Sequence, residues 1–237
     1  MNTVETIYMN NPGRPHFPYS RTRGTISLIG ELHRIKAGGK PGVIKEFKRR
    51  SPSGFLNDRY PSVRDYFRSK IDGRTAGMSI LTEPAYFSGS YEDLSACQEF
   101  NLPILDKDFI STPIMVENAY NAGSDAILLI MDFLPAHVVK YLTSNARDYG
   151  MEVLVEFHDL QFLSEIEPMD GVLYGYNRRD LRSLKMDPQD RAVNDYLREH
   201  HVDIILESGL DSSFLNNTEL SSFAGFLIGT SVLTDNI

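Results

Sequence analysis

Cysteine is nearly absent: Cys97 is the single one in 237 residues. An internal disulfide is therefore excluded, a cysteine-based metal site is disfavoured, and a free thiol packed in the interior is expected. Basic residues are also in deficit, with 24 Lys and Arg against 32 Asp and Glu, a net charge of −8 and a pI near 5.3. That balance argues against a general attraction to nucleic acid, so any anionic ligand must be met by a local basic site. No run of 18 apolar residues occurs, and the start MNTVETIYMNNPGRPHFPYSRTRG lacks the apolar core of a signal peptide. Neither a membrane span nor secretion is expected. With 41% hydrophobic and 24% charged residues and no biased tract, the composition is that of a soluble globular protein, expected in the cytoplasm.

The order of local patterns carries the fold. Residues 1–24, rich in Pro, Asn, Gly and Arg, read as an irregular arm lying on a neighbour or partly disordered. The stretch TISLIGELHRIKAGGK places Ile26, Ile29, Leu32 and Ile35 at helical spacing before a Gly38-Gly39 stop, which predicts a leading helix over 25–37. Short apolar runs follow at 43–47, 77–81, 103–106, 125–131, 152–156, 171–176, 202–206 and 225–229, separated by helical patterns such as PAHVVKYLTSNARDYG. Eight strands alternating with helices in this length predict a closed (β/α)8 barrel over 41–237, with residues 1–40 as an extension of the same domain. The alternative is an open doubly wound sheet. It is weakened because no glycine-rich dinucleotide fingerprint follows the first strand.

One short stretch, VIKEFKRRSPSGF, raises a functional question. Successive strand residues alternate faces, so Glu46 and Lys48 share one face and Phe47 takes the other. A solvated strand end would explain that pair alone. The remaining strand ends do not let it stand alone, because they carry Lys107, Glu156, Asn177, Glu207 with Ser208, and Gly229 with Thr230. Chemistry in such barrels sits at the C-terminal ends of the strands, and charges facing the interior are costly unless paired or in contact with a polar ligand. Three carboxylates and two ammoniums converging on one mouth are better explained as a site. Gly209 and Gly229 allow close backbone approach to an anion, and Ser208 and Thr230 can add hydroxyl donors. Loops in these two positions often bind phosphate, and the basic run at 48–50 stands nearby.

The blocks IKEFKRRSPSG, SILTEPAYFSGSYEDL, PILDKDFI, LVEFHD, YNRRDL, ESGL and FLIGTSVL, in this order from about residue 43 to 233, resemble the signatures of indole-3-glycerol phosphate synthases. The resemblance implies a (β/α)8 barrel of tryptophan biosynthesis, without metal or organic cofactor. The reaction implied converts 1-(2-carboxyphenylamino)-1-deoxyribulose 5-phosphate to indole-3-glycerol phosphate with loss of carbon dioxide and water. It also implies Lys107 as general acid, Lys48 on the substrate carboxylate, Glu156 as general base with Glu46 beside it, and Asn177 and Glu207 orienting the intermediate. Phe87 and Phe109 would flank the anthranilate ring, with Ser51 and Arg179 toward the substrate, an outer ion pair with Asp180 being the alternative for Arg179. Arg50, Ser208, Gly209, Gly229 and Thr230 would lie toward the phosphate. Lys48 is expected to lower the pKa of Lys107. Asp106 departs from the family pattern and, by parity, is expected to face the helix layer. His158 is expected to brace a loop, and His200 and His201 to serve the end of a helix.

Two rival readings follow. A phosphoribosylanthranilate-isomerase-like barrel would need a Cys/Asp pair, for which Cys97 is poorly placed. A catalytically silent barrel serving as a partner subunit is the other. A monomer or weak homodimer is expected. Only eight residues follow Gly229, so a shortened final helix is expected, with the gap at strands 8 and 1 covered by the arm residues Ile7, Tyr8, Phe17 and Tyr19, the preferred reading, or by a second chain.

Overall fold

The computed structural model describes residues 2–229 except 19, 166, 168 and 201. Eight parallel strands close in sequence order: β1 (Gly42–Phe47), β2 (Thr75–Leu81), β3 (Ile104–Lys107), β4 (Ala126–Ile130), β5 (Glu152–Phe157), β6 (Val172–Asn177), β7 (Ile204–Glu207) and β8 (Gly225–Ile228). β8 returns to β1 with Gly42 opposite Gly225. All eight expected strands are present, and closure removes the open-sheet alternative.

Side-chain alternation separates two apolar layers. Ile44, Leu105, Leu128, Leu154, Leu173, Ile205 and Leu227 fill the barrel interior, while Val43, Phe47, Ile127, Val155, Tyr176, Leu206 and Phe226 pack outward beneath the helices. Two helices precede the barrel, α1 (Thr3–Asn10) and α2 (Leu28–Ala37), and the outer helices are α3 (Val63–Lys70), α4 (Tyr91–Cys97), α5 (Pro113–Ala122), α6 (Ala136–Asp148) and α7 (Asp190–Glu199). Their apolar faces follow helical spacing; α3 buries Val63, Tyr66, Phe67 and Lys70. Among the described residues between β5 and β6 a 3-10 turn, Leu160–Glu165, stands in place of an α-helix, and two such turns link β7 to β8.

The leading helix, Leu28–Ala37, plugs the N-terminal end of the barrel. Ser27 caps it by accepting the Gly30 N–H at 2.8 Å, and Leu28, Leu32 and Ile35 are buried. A Cβ on Gly77 would come within 2.6 Å of Leu28 Cδ1, and one on Gly225 within 2.6 Å of Leu32 Cδ2. Glycine at these strand starts lets the plug seat.

The arm differs from expectation twice. Residues Thr3–Asn10 form a helix, started by a capping box in which Asn2 Oδ1 accepts the Glu5 N–H at 2.8 Å and Glu5 Oε2 accepts the Asn2 N–H at 3.0 Å. Among the described residues the arm also does not lie on β8 and β1. Tyr8 stacks on Phe133 and meets Phe109 edge-on, with ring centroids 5.8 and 5.9 Å apart. Asn11 donates to Phe109 O at 2.6 Å, Arg14 pairs with Asp108, and the Phe17 N–H meets Asn118 Oδ1 at 2.7 Å. Arg21 and Arg23 both reach Asp125 at 2.5 Å. The arm thus descends the β3–β4 side, from the mouth of the barrel to its base. The expected final helix, together with Tyr19, His201 and Thr230, lies outside the described residues.

Candidate active site

The C-terminal ends of the strands enclose a cavity of about 550 Å³. It is lined by Glu46, Lys48, Lys107, Glu156, Asn177 and Glu207, the six residues expected to carry chemistry. Parity does the gathering. Glu46 and Lys48 turn inward, while Phe47 turns out against Tyr66 with ring centroids 5.4 Å apart.

Two linked groups form the polar floor. In the first, Lys48 Nζ lies 2.6 Å from Glu46 Oε1. In the second, Lys107 Nζ bridges Glu156 Oε2 at 2.8 Å and Glu207 Oε2 at 2.5 Å. Asn177 Nδ2 donates to Glu156 Oε1 at 2.8 Å, and Asn177 Oδ1 accepts from the Ser208 hydroxyl at 2.7 Å. Glu207 Oε1 is buried without a hydrogen-bond partner. A Cβ on Gly175 would reach 2.1 Å from this oxygen, so glycine there gives the carboxylate its space.

Electrostatics in this floor correct one expectation. Lys48 does not depress the Lys107 pKa. Burial does oppose the charged ammonium, but Glu156, Glu207 and Glu46 outweigh it and hold Lys107 above the ordinary lysine range. Lys48 is taken up by Glu46, whose carboxyl is held below its usual value because Lys48 and Lys107 overcome burial. Glu207 is pushed up to about 8, by burial first and by Glu156 as well, against the pull of Lys107. The floor therefore holds a permanent ammonium beside a carboxyl that retains its proton near neutrality.

The β2–β4 side of the cavity is apolar. Phe87 and Phe109 face each other at 5.9 Å, with Leu81, Leu128 and Ile130 beside them. Phe87 is positioned by Glu83, whose carboxylate collects the N–H groups of Ala85, Tyr86 and Phe87 at 2.9, 2.6 and 3.0 Å. The aliphatic lining was not anticipated, although inward parity at the ends of β2 and β4 signals it. Opposite stand Ser208, Gly209 and Gly229. Ser51 and Arg179 also line the cavity, and Arg179 Nη1 donates to Leu184 O at 3.0 Å. Arg50 is the exception: its guanidinium donates to the Ala85 carbonyl, outside the cavity lining.

Other assignments resolve by contact. His158 Nδ1 lies 2.8 Å from Asn177 O, a loop brace. His200 stacks on Tyr196 with centroids 4.0 Å apart at the end of α7. Asp106 is buried in the outer direction, 2.6 Å from the Thr82 hydroxyl. Cys97 is buried in the outer layer, away from the cavity, and burial raises its thiol pKa. An isomerase-type Cys/Asp pair is thus not assembled. No cluster of His, Cys, Asp and Glu suited to a metal ion occurs among the described residues. No helix among them is long and apolar enough to cross a membrane.

Comparison with known proteins points the same way. The family model described as indole-3-glycerol phosphate synthase matches residues 14–236. A protein of that name from Thermoplasma volcanium is 44% identical over 229 residues, covering 97% of this chain and 92% of the relative. One from Picrophilus torridus is 39% identical, covering 98% and 92%. Among solved structures, a tryptophan synthase alpha subunit from Legionella pneumophila aligns with a TM-score of 0.63 at 11% identity, over 89% of this chain and 88% of that one. At that identity the likeness concerns the fold.

Proposed function

The chain belongs to the indole-3-glycerol phosphate synthase family, and on that premise we propose how its cavity performs the ring closure. The enzyme is a carboxy-lyase of tryptophan biosynthesis acting on a phosphorylated small molecule. Its substrate, 1-(2-carboxyphenylamino)-1-deoxyribulose 5-phosphate, presents an aromatic ring, two anionic ends and a ketone. Phe87, Phe109 and the aliphatic lining suit the ring. The backbone around Ser208, Gly209 and Gly229 suits the phosphate, and Lys48 suits the carboxylate.

Lys107 donates the first proton. The ring carbon bearing the carboxylate attacks the ketone carbon, and the ketone oxygen takes up a proton as its π bond breaks. An ammonium bridged by two carboxyl groups, Glu156 and Glu207, is fixed in position and fully protonated. Its raised pKa is no obstacle, because the developing alkoxide is a stronger base than an amine. The carbon–carboxylate bond then breaks, its electrons restoring aromaticity as carbon dioxide leaves. The new hydroxyl departs as water while a proton is lost from the adjacent carbon. Glu156, held by Asn177, is the base for that loss, and Glu207, protonated near neutrality, hydrogen-bonds the departing oxygen.

The observation that carries this reading is the Lys107 bridge to Glu156 and Glu207 beside an aromatic wall. Indole fluorescence tests it, against a chain with no tryptophan. Lys107→Ala and Glu156→Gln are each expected to lower turnover by at least about a hundredfold while remaining folded. Near-wild-type turnover in either variant removes the role given to that residue.

A further inference from the structure

We propose that Arg178 is a positioning residue for the anion-binding backbone at the end of β7. The inference rests on the phosphate reading above. Arg178 directly follows Asn177, so it takes the opposite parity and points away from the cavity. It is buried at 8% exposure and is not among the cavity-lining residues. Its Nη1 donates to two consecutive carbonyls, Ser208 O at 3.2 Å and Gly209 O at 3.1 Å. Its Nε is held by Asp190 Oδ1 at 3.0 Å, and the guanidinium lies 4.8 Å from the centroid of the Phe214 ring.

The backbone it grips is unusual. Ser208 and Gly209 are both left-handed, with φ of 66° and 63°. Serine adopts that region only when its surroundings impose it. Here two contacts do so: Arg178 from outside the cavity, and Asn177 Oδ1 on the Ser208 hydroxyl from inside. Across a trans peptide the N–H points opposite to the C=O. Turning the Ser208 carbonyl toward Arg178 turns the Gly209 N–H toward the cavity, where an anion can receive it. Asp211 also lines the cavity, but its carboxylate is engaged by the N–H and hydroxyl of Ser213 at 2.9 and 2.5 Å. Arg178 thus shapes the cradle without touching the ligand.

The test combines steady-state kinetics with competitive inhibition by inorganic phosphate. Arg178→Met is expected to raise the KM and the phosphate inhibition constant together, by about tenfold or more, with kcat within about threefold of wild type. Arg178→Lys keeps the charge but not the fork, and is expected to show a several-fold rise in both constants. If lysine matches wild type, charge alone matters and the positioning role is overturned. Unchanged constants in folded Arg178→Met, or a fall in kcat alone, overturn it as well. Should Arg178→Met fail to fold, Asp190→Asn, which loosens the guanidinium, is expected to raise both constants in parallel; unchanged constants there overturn the proposal. Failure of phosphate to compete in the wild-type enzyme would instead remove the phosphate reading on which the proposal stands.

Discussion

Substitution of Asp106 by Asn is expected to stabilise the protein increasingly as pH rises. The Thr82 hydroxyl lies 2.6 Å from Asp106 Oδ1 and 3.1 Å from Asp108 Oδ2. It has one proton, so it donates to one carboxylate and needs a donor from the other. Asp108 is the charged member: Arg14 reaches both its oxygens at 3.0 and 3.1 Å, and the Phe109 N–H meets it at 2.7 Å. Asp106 is then a neutral acid donating to Thr82. Its second oxygen, buried and without a partner, is tolerable as a carbonyl and costly as a charge. Burial, and then the Asp108 charge, raise the Asp106 pKa well above the usual carboxylate value. A raised carboxyl pKa means that the folded state binds the extra proton. Stability is therefore full below the unfolded pKa near 4 and falls as pH rises toward the folded pKa. The slope is about 1.4 kcal/mol per pH unit, or roughly 3–6 °C in melting temperature for a domain of this size. Asparagine keeps the shape and a donor for Thr82 but cannot ionise. Melting curves of both proteins at pH 5, 6 and 7, followed by circular dichroism, give the double difference. Parallel wild-type and Asp106→Asn profiles would refute a shared proton at this site.

Further outcomes follow from the same geometry. Glu207, pushed up to about 8 by burial, acts with its proton on, so it is expected to set the alkaline limb of the kcat/KM profile; Glu207→Gln, which cannot ionise, is expected to remove that limb, and a limb left in place separates Glu207 from it. Tyr8→Ala opens the contact with Phe109 and Phe133 and is expected to cost at least about 2 kcal/mol of stability and to raise KM several-fold. An unchanged KM would show that the arm does not support the aromatic wall. Gly229→Val would bring a Cβ within 2.6 Å of Glu46 Oε1 and 3.2 Å of Lys48 Nζ. It is expected to raise KM at least about tenfold, and intact affinity in a folded variant would remove Gly229 from the site.

What the sequence disclosed, and what it withheld, divides along the range of the forces involved. The period-2 alternation is local, so it placed Glu46 and Lys48 on one face and Asp106 on the other, and both placements hold. Closure of the barrel then brought Lys107, Glu156 and Glu207 together without further information. The arm illustrates the limit. Its apolar residues announce burial, but Arg14 finds Asp108 across 94 positions and Phe17 finds Asn118 across 101, partnerships that no local pattern encodes. The start of its helix was legible, since Asn2 and Glu5 have capping-box spacing.

Charge behaves similarly. Composition at the strand ends reveals which ionisable groups converge, whereas a pKa depends on which neighbour is a few ångströms closer. Lys48 was positioned to depress Lys107 until Glu46, two residues earlier on the same strand face, neutralised it at 2.6 Å. Arg50 left the site for an equally local reason: β1 ends at Phe47, and beyond it the loop doubles back through a bridge between Arg50 and Leu56, so strand parity no longer governs the side chain. Arg178 sits immediately after β6 and keeps outward parity. A second arginine in YNRRDL that cannot face the cavity must find partners behind it, and the carbonyls of the β7 turn lie within its reach. The inward face of each strand end thus selects the groups that meet substrate, and the outward face selects those that hold them.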